Sequence, residues 1–340
     1  MSTLIGESEQ IREIRDLVEK VAPLDIQILI TGETGTGKDV VARMIHLRSN
    51  RRQGPFVPVN CGAIPDSLLE SALFGHEKGA FTGATGRVKG FFHEARGGTL
   101  FLDEISEGSR AFQTALLRVL QEKRFFRIGS TRQQVTDCRI IAATNRDLRL
   151  EVSRGAFRED LYFRLNIFEI KMPPLRDRGR DVFLLSEHYL RKLSNKYNKE
   201  IVGLSPRVET IFKAYHWPGN VRELVHVLER AVIVETSSVL TPYSLPKYLQ
   251  DRLETDSAPL DDTRESFGNF TSSYNDDDIF HLPIAEARKV FEKRYLERLL
   301  HKTKGNISSA AKLAGIRRQN LYRKLEQLGI EPAKFRKSSG

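Results

Sequence analysis

Short apolar runs alternate with longer segments of helical periodicity along the first half of the chain. Five of these runs are strand-sized and rich in Val, Ile, Leu and Phe, and helix-patterned sequence separates most of them. Strands of a buried parallel sheet have this composition, because helices cover both faces of such a sheet. The pattern therefore predicts an α/β fold with strands at residues 26–30, 56–59, 99–102, 139–143 and 167–170.

The strand pattern stops after residues 173–175, and residues 181–248 have only helical periodicity. One helix start is marked within this region. Trp217-Pro218-Gly219 interrupts the chain, Asn220 can cap a helix, and Glu223 stands three residues further on as a capping-box partner. The sequence thus predicts an α/β subdomain at residues 1–175 and a smaller helical subdomain at residues 176–250, with Arg222 in a first helical turn.

The composition changes after residue 250. Residues 251–280 are acidic and Ser-rich, with three consecutive Asp at 276–278 and no sustained periodicity, which favours a flexible linker. From Glu286 onward the chain carries 15 Lys and Arg against five Glu and no Asp, which matches the net charge of +10 of the whole sequence. The basicity therefore belongs to a separate tail at residues 281–340, and it points to an acidic partner.

Cysteine usage and hydropathy narrow the protein class. Cys61 and Cys138 have no Cys or His at metal-ligand spacing, so a zinc site or a disulfide framework is not expected. No apolar run approaches the roughly 20 residues that span a bilayer, and the first residues lack the pattern of a signal peptide. These features predict a soluble cytoplasmic protein without a membrane partner.

A glycine-rich segment follows the first predicted strand and precedes a predicted helix. In this context glycines let backbone amides turn toward phosphates, and a lysine can reach the β and γ phosphates of a nucleotide. The alternative is a plain glycine turn. Asp39 departs from the motif, because it replaces the Ser or Thr that would bind Mg²⁺ through a hydroxyl. The predicted ATP-binding loop consists of Gly32, Glu33, Thr34, Gly35, Thr36, Gly37 and Lys38, with Asp39 next to it.

Two acidic residues end the third predicted strand. Asp103 is placed to organise Mg²⁺, with Asp39 or Glu104 as further candidates acting through water, and Glu104 could polarise an attacking water. A solvated acidic turn after a strand is the alternative. The combination with the loop at residues 32–38 favours a site that hydrolyses ATP with Mg²⁺.

The hexapeptide at residues 79–84 indicates a particular protein family. Together with residues 70–76, the hexapeptide resembles the signature of the sigma-54-dependent transcriptional activators, the NtrC-like bacterial enhancer-binding proteins, which are AAA+ ATPases. The likeness extends from about residue 4 to residue 248 and resumes in the tail. In that family this segment tips a loop that contacts sigma-54, whereas composition alone would favour a tight turn with its Phe in the core. The residues are Gly79, Ala80, Phe81, Thr82, Gly83 and Ala84.

The resemblance also implies roles for single residues. Asn60 matches the residue that holds the catalytic glutamate idle, and Thr144-Asn145 matches the first sensor of the γ-phosphate. Arg222 matches the second sensor, in the helical lid. The remaining matches are Arg158 and Arg164, the arginines that reach a neighbouring subunit's ATP, and Ile5 and Gly6, which open the ATPase module and would lie at the nucleotide.

The tail has two short helices around a glycine, preceded by a helix whose predicted apolar face is Ala287, Val290, Phe291, Tyr295 and Leu299. A basic second helix in this arrangement indicates a helix-turn-helix, and it resembles the Fis-like DNA-binding domain of the family. Arg317 replaces a Ser that is usual in relatives. The predicted DNA contacts are Arg317, Arg318, Gln319, Asn320, Tyr322, Arg323 and Lys324.

Taken together, the resemblance implies a two-component-type activator that binds enhancer DNA as a dimer through its tail and remodels the sigma-54 RNA polymerase holoenzyme. It also implies a hexameric or heptameric ring. Residues 4–6 already resemble the start of the ATPase module, so the activating signal would come from a protein in trans or from a regulatory domain that has been removed. Two other classes stay open: a DNA-binding regulator that keeps the ATPase fold as a scaffold, and an AAA+ remodeller or helicase loader outside transcription.

Overall fold

A computed structural model describes residues 3–81, 83–250, 284–303, 305–314, 318–330 and 335. The chain divides into two compact units, Met1–Pro259 and Leu260–Gly340. The predicted linker at residues 251–280 lies outside the described residues. Among the helices of the described ranges, none is both long and apolar enough to cross a bilayer.

The first unit is built on a five-stranded parallel sheet. From one edge to the other, the sheet consists of the strands at residues 56–60, 99–103, 139–144, 28–31 and 168–171. All five were predicted from the sequence, with ends that differ by no more than two residues. The strands of the first unit are β1 Ile28–Thr31, β2 Phe56–Asn60, β3 Gly75–His76, β4 Val88–Lys89, β5 Thr99–Asp103, β6 Arg124–Phe126, β7 Gln133–Val135, β8 Arg139–Thr144, β9 Phe168–Lys171, β10 Gly203–Leu204 and β11 Val239–Leu240.

Side chains alternate between two cores, one on each face of the sheet. Leu29, Leu100 and Leu102 pack into one core, whereas Ile28 and Phe101 pack into the other. This is the two-residue period of a strand whose faces are both covered, and it explains why these strands consist of continuous apolar runs. The predicted α/β fold is confirmed.

Helices cover the sheet and continue into a second layer. Each helix in this unit buries apolar residues on the sheet or on its neighbours; α1, for example, buries Ile11, Ile14 and Val18 at helical spacing. The helices are α1 Glu9–Val21, α2 Lys38–Arg48, α3 Asp66–Phe74, α4 Phe91–Glu94, α5 Arg110–Glu122, α6 Leu148–Ser153, α7 Glu159–Leu165, α8 Asp181–Tyr197, α9 Pro206–Ala214, α10 Asn220–Val234 and α11 Lys247–Gln250.

A helical lid follows the sheet, formed by α8 to α11. Its core surrounds Trp217, which is fully buried and donates from Nε1 to the Phe212 carbonyl at 3.0 Å. The expectation that this region contains helices only was wrong, because β10 and β11 pair in parallel within it. Each of these strands has two residues, which is too short for a recognisable alternation in sequence.

The start of α10 also differs from the prediction. Asn220 is the first helical residue, with φ of 51°, and it does not cap the helix. Glu223 does reach back, but it accepts the N–H of Gly219 at 2.8 Å. The Asn220 side chain is fully buried and is used elsewhere, as described below. Two antiparallel hairpins, β3–β4 and β6–β7, were likewise not predicted.

The second unit contains α12 Ile284–Lys302, α13 Ile307–Leu313 and α14 Arg318–Gln327. Leu296 and Leu300 of α12 share one buried core with Leu321 and Leu325 of α14. Tyr295, which the periodicity placed on the buried face, is 46% exposed. The side chains at residues 287, 290 and 291 lie outside the described residues.

Candidate nucleotide site and partner surfaces

The P-loop, residues 32–38, connects β1 to α2 as predicted. Gly32, Gly35 and Gly37 have φ of 144°, 78° and 97°, values that side chains with a Cβ rarely adopt. Lys38 begins α2 and is 8% exposed, and its ammonium donates to the Gly32 carbonyl at 2.8 Å and to the Glu33 carbonyl at 3.1 Å. The loop therefore has the strand, turn and helix geometry that a phosphate-binding loop needs.

Charged groups converge on Lys38. Burial lowers the pKa of Lys38, the nearby carboxylates of Asp103, Glu104 and Asp39 raise it, and Arg222 lowers it further. The pKa of Asp103 is raised by burial. The hydrogen bond from the Glu104 N–H and the positive charge of Lys38 lower this pKa, but they do not outweigh burial. Lysine, carboxylates and arginine from three different segments, the start of α2, the end of β5 and the first turn of α10, thus lie together at the carboxyl edge of the sheet.

This donor set fits a Mg²⁺ ion bound together with a nucleotide. The Asp103 carboxylate is partly desolvated, which favours a cation beside it. No group of three or more His, Cys, Asp or Glu that could hold a metal occurs among the residues that the structure describes. Mg²⁺ commonly binds through one or two carboxylates, substrate phosphates and water, so a single carboxylate at this edge suffices.

Glu104 has an unusual backbone conformation. Its φ of 54° lies in the left-handed region, and it precedes a 3₁₀ turn at Ile105–Glu107. A Cβ added to Gly62 would lie 2.6 Å from Glu104 Oε2 and 3.5 Å from Asn60 Oδ1. The two side chains therefore flank the same glycine, and Asn60 Oδ1 accepts the N–H groups of Gly62 and Ala63 at 2.9 and 3.0 Å.

The two sensor candidates lie against the P-loop. Asn145 donates to Thr34 Oγ1 at 3.0 Å, and Arg222 lies next to Gly35, where an added Cβ would be 3.0 Å from Arg222 Cβ. Ile5 packs on the lid core, and Gly6 lies beside the Asp181 carboxylate at the start of α8. The structure thus places Ile5 and Gly6 on the lid side of the site.

Arg158 immediately precedes α7, Arg164 lies in the last turn of α7, and both have other partners. Arg158 forms a two-point ion pair with Asp160, with distances of 3.0 and 2.7 Å, and Arg164 donates to the Leu120 carbonyl at 3.2 Å. Within the described contacts, neither guanidinium bonds to the P-loop of its own chain.

The hexapeptide forms an open loop between β3 and β4. Gly79 and Gly83 have φ of 82° and 103°, and a Cβ at either would meet nothing within 4 Å. Phe81 is 38% exposed and touches the His76 ring edge-on at 4.9 Å between centroids, so it is not a core residue. Thr82 lies outside the described residues. Gly129 of the β6–β7 turn packs on Ala80.

The predicted DNA contacts lie on or before α14. Arg318, Gln319 and Arg323 are exposed, and the Arg318 guanidinium lies 5.8 Å from the centre of the Tyr322 ring. Lys324 is paired with Glu292 at 3.1 Å. Arg317 and the side chain of Asn320 lie outside the described residues.

Sequence reasoning missed three residues that touch the P-loop, namely Arg176, Arg178 and Asn220. The signal available was the dense charge of residues 176–181 after two prolines, where three Arg and two Asp occur together. These three residues lie about 140 to 190 positions from the P-loop residues that they contact. The local sequence pattern therefore does not predict the contacts.

Comparison with known proteins covers nearly the whole chain. Residues 4–171 match the Sigma-54 interaction domain, residues 176–261 match an AAA+ ATPase lid domain, and residues 287–328 match the bacterial regulatory proteins of the Fis family. The regulatory protein AtoC of Escherichia coli (strain K12) is 43% identical over 318 residues, which cover 92% of this chain and 65% of AtoC.

Two further proteins agree with these matches. The transcriptional regulatory protein ZraR of Klebsiella oxytoca is 43% identical over 95% of this chain and 68% of its own length. The crystal structure of NtrX from Brucella abortus in complex with ATP is 34% identical, with a TM-score of 0.69 over 96% of this chain and 70% of that one. The chain spans between about half and two thirds of the length of the relatives it matches.

The matched regions follow one another in the order of the structure: an α/β nucleotide site, a helical lid and a helix-turn-helix region. The hexapeptide and the P-loop both fall within the first of them. The chain therefore belongs to the sigma-54-dependent transcriptional activators, a family of AAA+ ATPases with a Fis-type DNA-binding region.

Proposed function

We propose that copies of this chain assemble into a ring, hydrolyse ATP and use that energy to remodel the closed complex of sigma-54 RNA polymerase from an upstream enhancer. The observation that carries the proposal is the convergence of Lys38, Asp103, Glu104 and Arg222 at one edge of the sheet. A phosphoryl-transfer site needs this combination of cations and carboxylates.

Each residue at that edge has a distinct role in the proposed reaction. The P-loop amides and Lys38 bind the phosphates, and Asn145 and Arg222 sense the γ-phosphate. Glu104 takes a proton from the attacking water, and Asn60 holds the Glu104 carboxylate away from that water until the nucleotide state changes. The flanking of Gly62 by Asn60 and Glu104 supports this pairing.

Asp103, with Asp39 or Glu104 through water, would hold Mg²⁺. When bound, the ion neutralises charge that develops on the phosphates. Asp39 is exposed and lies close enough to Asp103 to raise its pKa, which supports a water-mediated contribution.

The ring, a hexamer or heptamer, completes the site in trans. Arg158 and Arg164 would leave Asp160 and the Leu120 carbonyl and reach the γ-phosphate bound to a neighbouring copy. An arginine supplied in trans can accelerate hydrolysis by about 10³–10⁵-fold. The absence of bonds from either arginine to its own P-loop, within the described contacts, supports the trans arrangement.

The hexapeptide loop is the proposed contact with sigma-54, through Phe81 and Thr82. An exposed aromatic ring on a loop with two left-handed glycines favours a binding surface. Enhancer DNA is the proposed partner of Arg317, Arg318, Gln319, Asn320, Tyr322, Arg323 and Lys324, in a dimer formed through the tail. The activating signal would come from a regulatory domain or from a protein in trans.

The first test is ATP turnover as a function of protein concentration, for the unmodified chain and for Glu104→Gln. Turnover per subunit should rise with concentration, and the variant should lose about 10²–10⁴-fold while it still binds nucleotide. Glu122→Gln, an exposed acid at the end of α5, is the matched control and should keep full turnover. Bound nucleotide without turnover at any concentration would refute hydrolysis by this chain and favour the scaffold regulator.

The second test concerns the target. In the presence of a transition-state mimic of ATP hydrolysis, the chain should bind sigma-54, and Phe81→Ala should not. Binding only to a different factor would instead support an AAA+ remodeller that works outside transcription.

A further inference from the structure

Three successive carbonyl groups of the P-loop accept hydrogen bonds from the lid side. Thr34 O accepts from Asn220 Nδ2 at 3.0 Å, and Gly35 O accepts from the Val221 N–H at 3.0 Å. Thr36 O accepts from Arg178 Nη2 at 2.7 Å. The donors come from the first turn of α10 and from the 3₁₀ turn Leu175–Arg178, here called the lid strap.

The Glu33 side chain is held by the same two elements. Arg176 of the lid strap donates to both carboxylate oxygens, at 2.9 and 2.6 Å, and Asn220 Nδ2 donates to Oε2 at 3.1 Å. Asn220 Oδ1 in turn accepts the Leu175 N–H at 2.7 Å, which ties the lid strap to α10. One buried asparagine therefore joins the P-loop, the lid strap and the lid helix.

These contacts determine which way the P-loop peptides face. In a trans peptide the C=O and the following N–H point in opposite directions. Carbonyls bound to the lid therefore turn the next N–H groups away from the lid. A concave run of N–H groups is what binds an anion, and outward carbonyls remove the oxygens that would repel it.

We propose that Arg176, Arg178 and Asn220 are positioning residues that preorganise the P-loop for a nucleotide polyphosphate, so that lid docking and nucleotide binding strengthen each other. The inference rests on the proposed function only in taking the P-loop as the nucleotide site. Because coupling between two equilibria is reciprocal, a bound nucleotide should stabilise the docked lid as much as the docked lid strengthens binding.

Glu33→Gln is the decisive variant, because two explanations predict opposite signs. Removal of a negative charge beside a polyphosphate should strengthen binding through simple electrostatics. Loss of the ion pair between Glu33 and Arg176 should weaken nucleotide binding if that ion pair positions the P-loop. An ion pair of this exposure, 39% for Arg176 and 42% for Glu33, contributes about 1 kcal/mol at most. We therefore expect a loss of affinity of roughly threefold to fivefold.

The measurement is the dissociation constant of a fluorescent ADP analogue, with KM and kcat for ATP recorded beside it. Glu33→Gln, Arg176→Gln and the double variant should share the same weakened binding, because the second substitution removes nothing further. The loss should appear as a higher KM for ATP, whereas a partly unfolded fraction of the chain would lower kcat and leave KM unchanged. Glu187→Gln, which breaks the exposed pair with Arg191 on α8, is the matched control.

Unchanged or tighter ADP binding by Glu33→Gln would overturn the proposal. Additive losses in the double variant would also overturn it, because the two residues would then act separately. The readout does not depend on hydrolysis. A chain that binds ADP without turning over ATP would refute the proposed ATPase activity and still test this inference.

Discussion

The contact between the P-loop and the lid can be probed at a single methyl group. In Gly35→Ala the new Cβ would overlap the Gly219 carbonyl oxygen and lie 3.0 Å from Arg222 Cβ. In Gly37→Ala the nearest atom would be Val40 Cγ2, at 4.0 Å. Both glycines have left-handed φ, at 78° and 97°, so both alanines carry the same backbone penalty of about 1–2 kcal/mol.

The difference between the two variants measures the lid contact. At Gly35 the first turn of α10 must withdraw, which also breaks the hydrogen bond from the Val221 N–H, a loss of about 0.5–1.5 kcal/mol. We expect the nucleotide-free Gly35→Ala chain to be destabilised by about 1.5–3.5 kcal/mol, and Gly37→Ala by about 1–2 kcal/mol.

Urea denaturation provides the assay, because Trp217 is the sole tryptophan and is buried in the lid core, two residues before Gly219. Its fluorescence reports the free energy of unfolding of the lid without an added label. Equal destabilisation by the two alanines would refute the reasoning, since it would show that the lid does not rest on Gly35 in solution.

Two further predictions concern acid stability and the partner loop. Burial alone would raise the pKa of Glu235, but hydrogen bonds from Thr241 and Ser237 outweigh it and lower the pKa to about 2. The stability that Glu235 contributes is therefore fully present above about pH 4.5 and is lost as the pH falls toward about 2. Glu235→Gln should cost about 1–3 kcal/mol of unfolding free energy near neutral pH, and its difference from the unmodified chain should shrink in acid; a pH-independent difference would contradict this. Phe81→Ala should keep ATP turnover within about twofold and abolish transcription from a sigma-54 promoter in a reconstituted assay, because an exposed ring contributes little to folding; loss of turnover in this variant would place Phe81 in the ATPase instead.

The sheet could be predicted from sequence because its strands are buried on both faces. All six residues of β8 are buried, and such a run contrasts with the amphipathic helices on either side. The hairpins β3–β4 and β6–β7 have no continuous apolar run that would distinguish them from the sequence around them. In β6 only Phe125 faces the core, and the apolar residues Phe126 and Val135 are exposed at 51% and 68%. The apolar residues of this hairpin therefore do not alternate with polar residues in the way its buried and exposed positions alternate.

Sequence reasoning predicted the residues of the nucleotide site from local motifs, and it missed the contacts between residues that lie far apart along the chain. Lys38, Asp103 and Glu104 belong to local patterns with a known geometry. Asn220 also belongs to a local pattern, and that pattern led to a wrong assignment as a helix cap. The capping box is a local optimum for an asparagine before a helix. In the structure the Asn220 side chain instead donates to Glu33 and to the Thr34 carbonyl and accepts from the Leu175 N–H, because a fully buried amide needs several hydrogen-bond partners.

The same asparagine suggests how a change in the lid could reach the phosphates. Asn220 is held with φ of 51° between two elements that belong to different subdomains, and it is fully buried. A rotation of α10 relative to the sheet would move Asn220 and Val221 together, and with them the Thr34 and Gly35 carbonyls. Arg222 follows directly in the same turn, so its proposed sensing of the γ-phosphate and the orientation of the P-loop peptides would change in one step. A lid that only covered the nucleotide would need none of these bonds to the P-loop backbone, and their presence favours a lid that also shapes the loop.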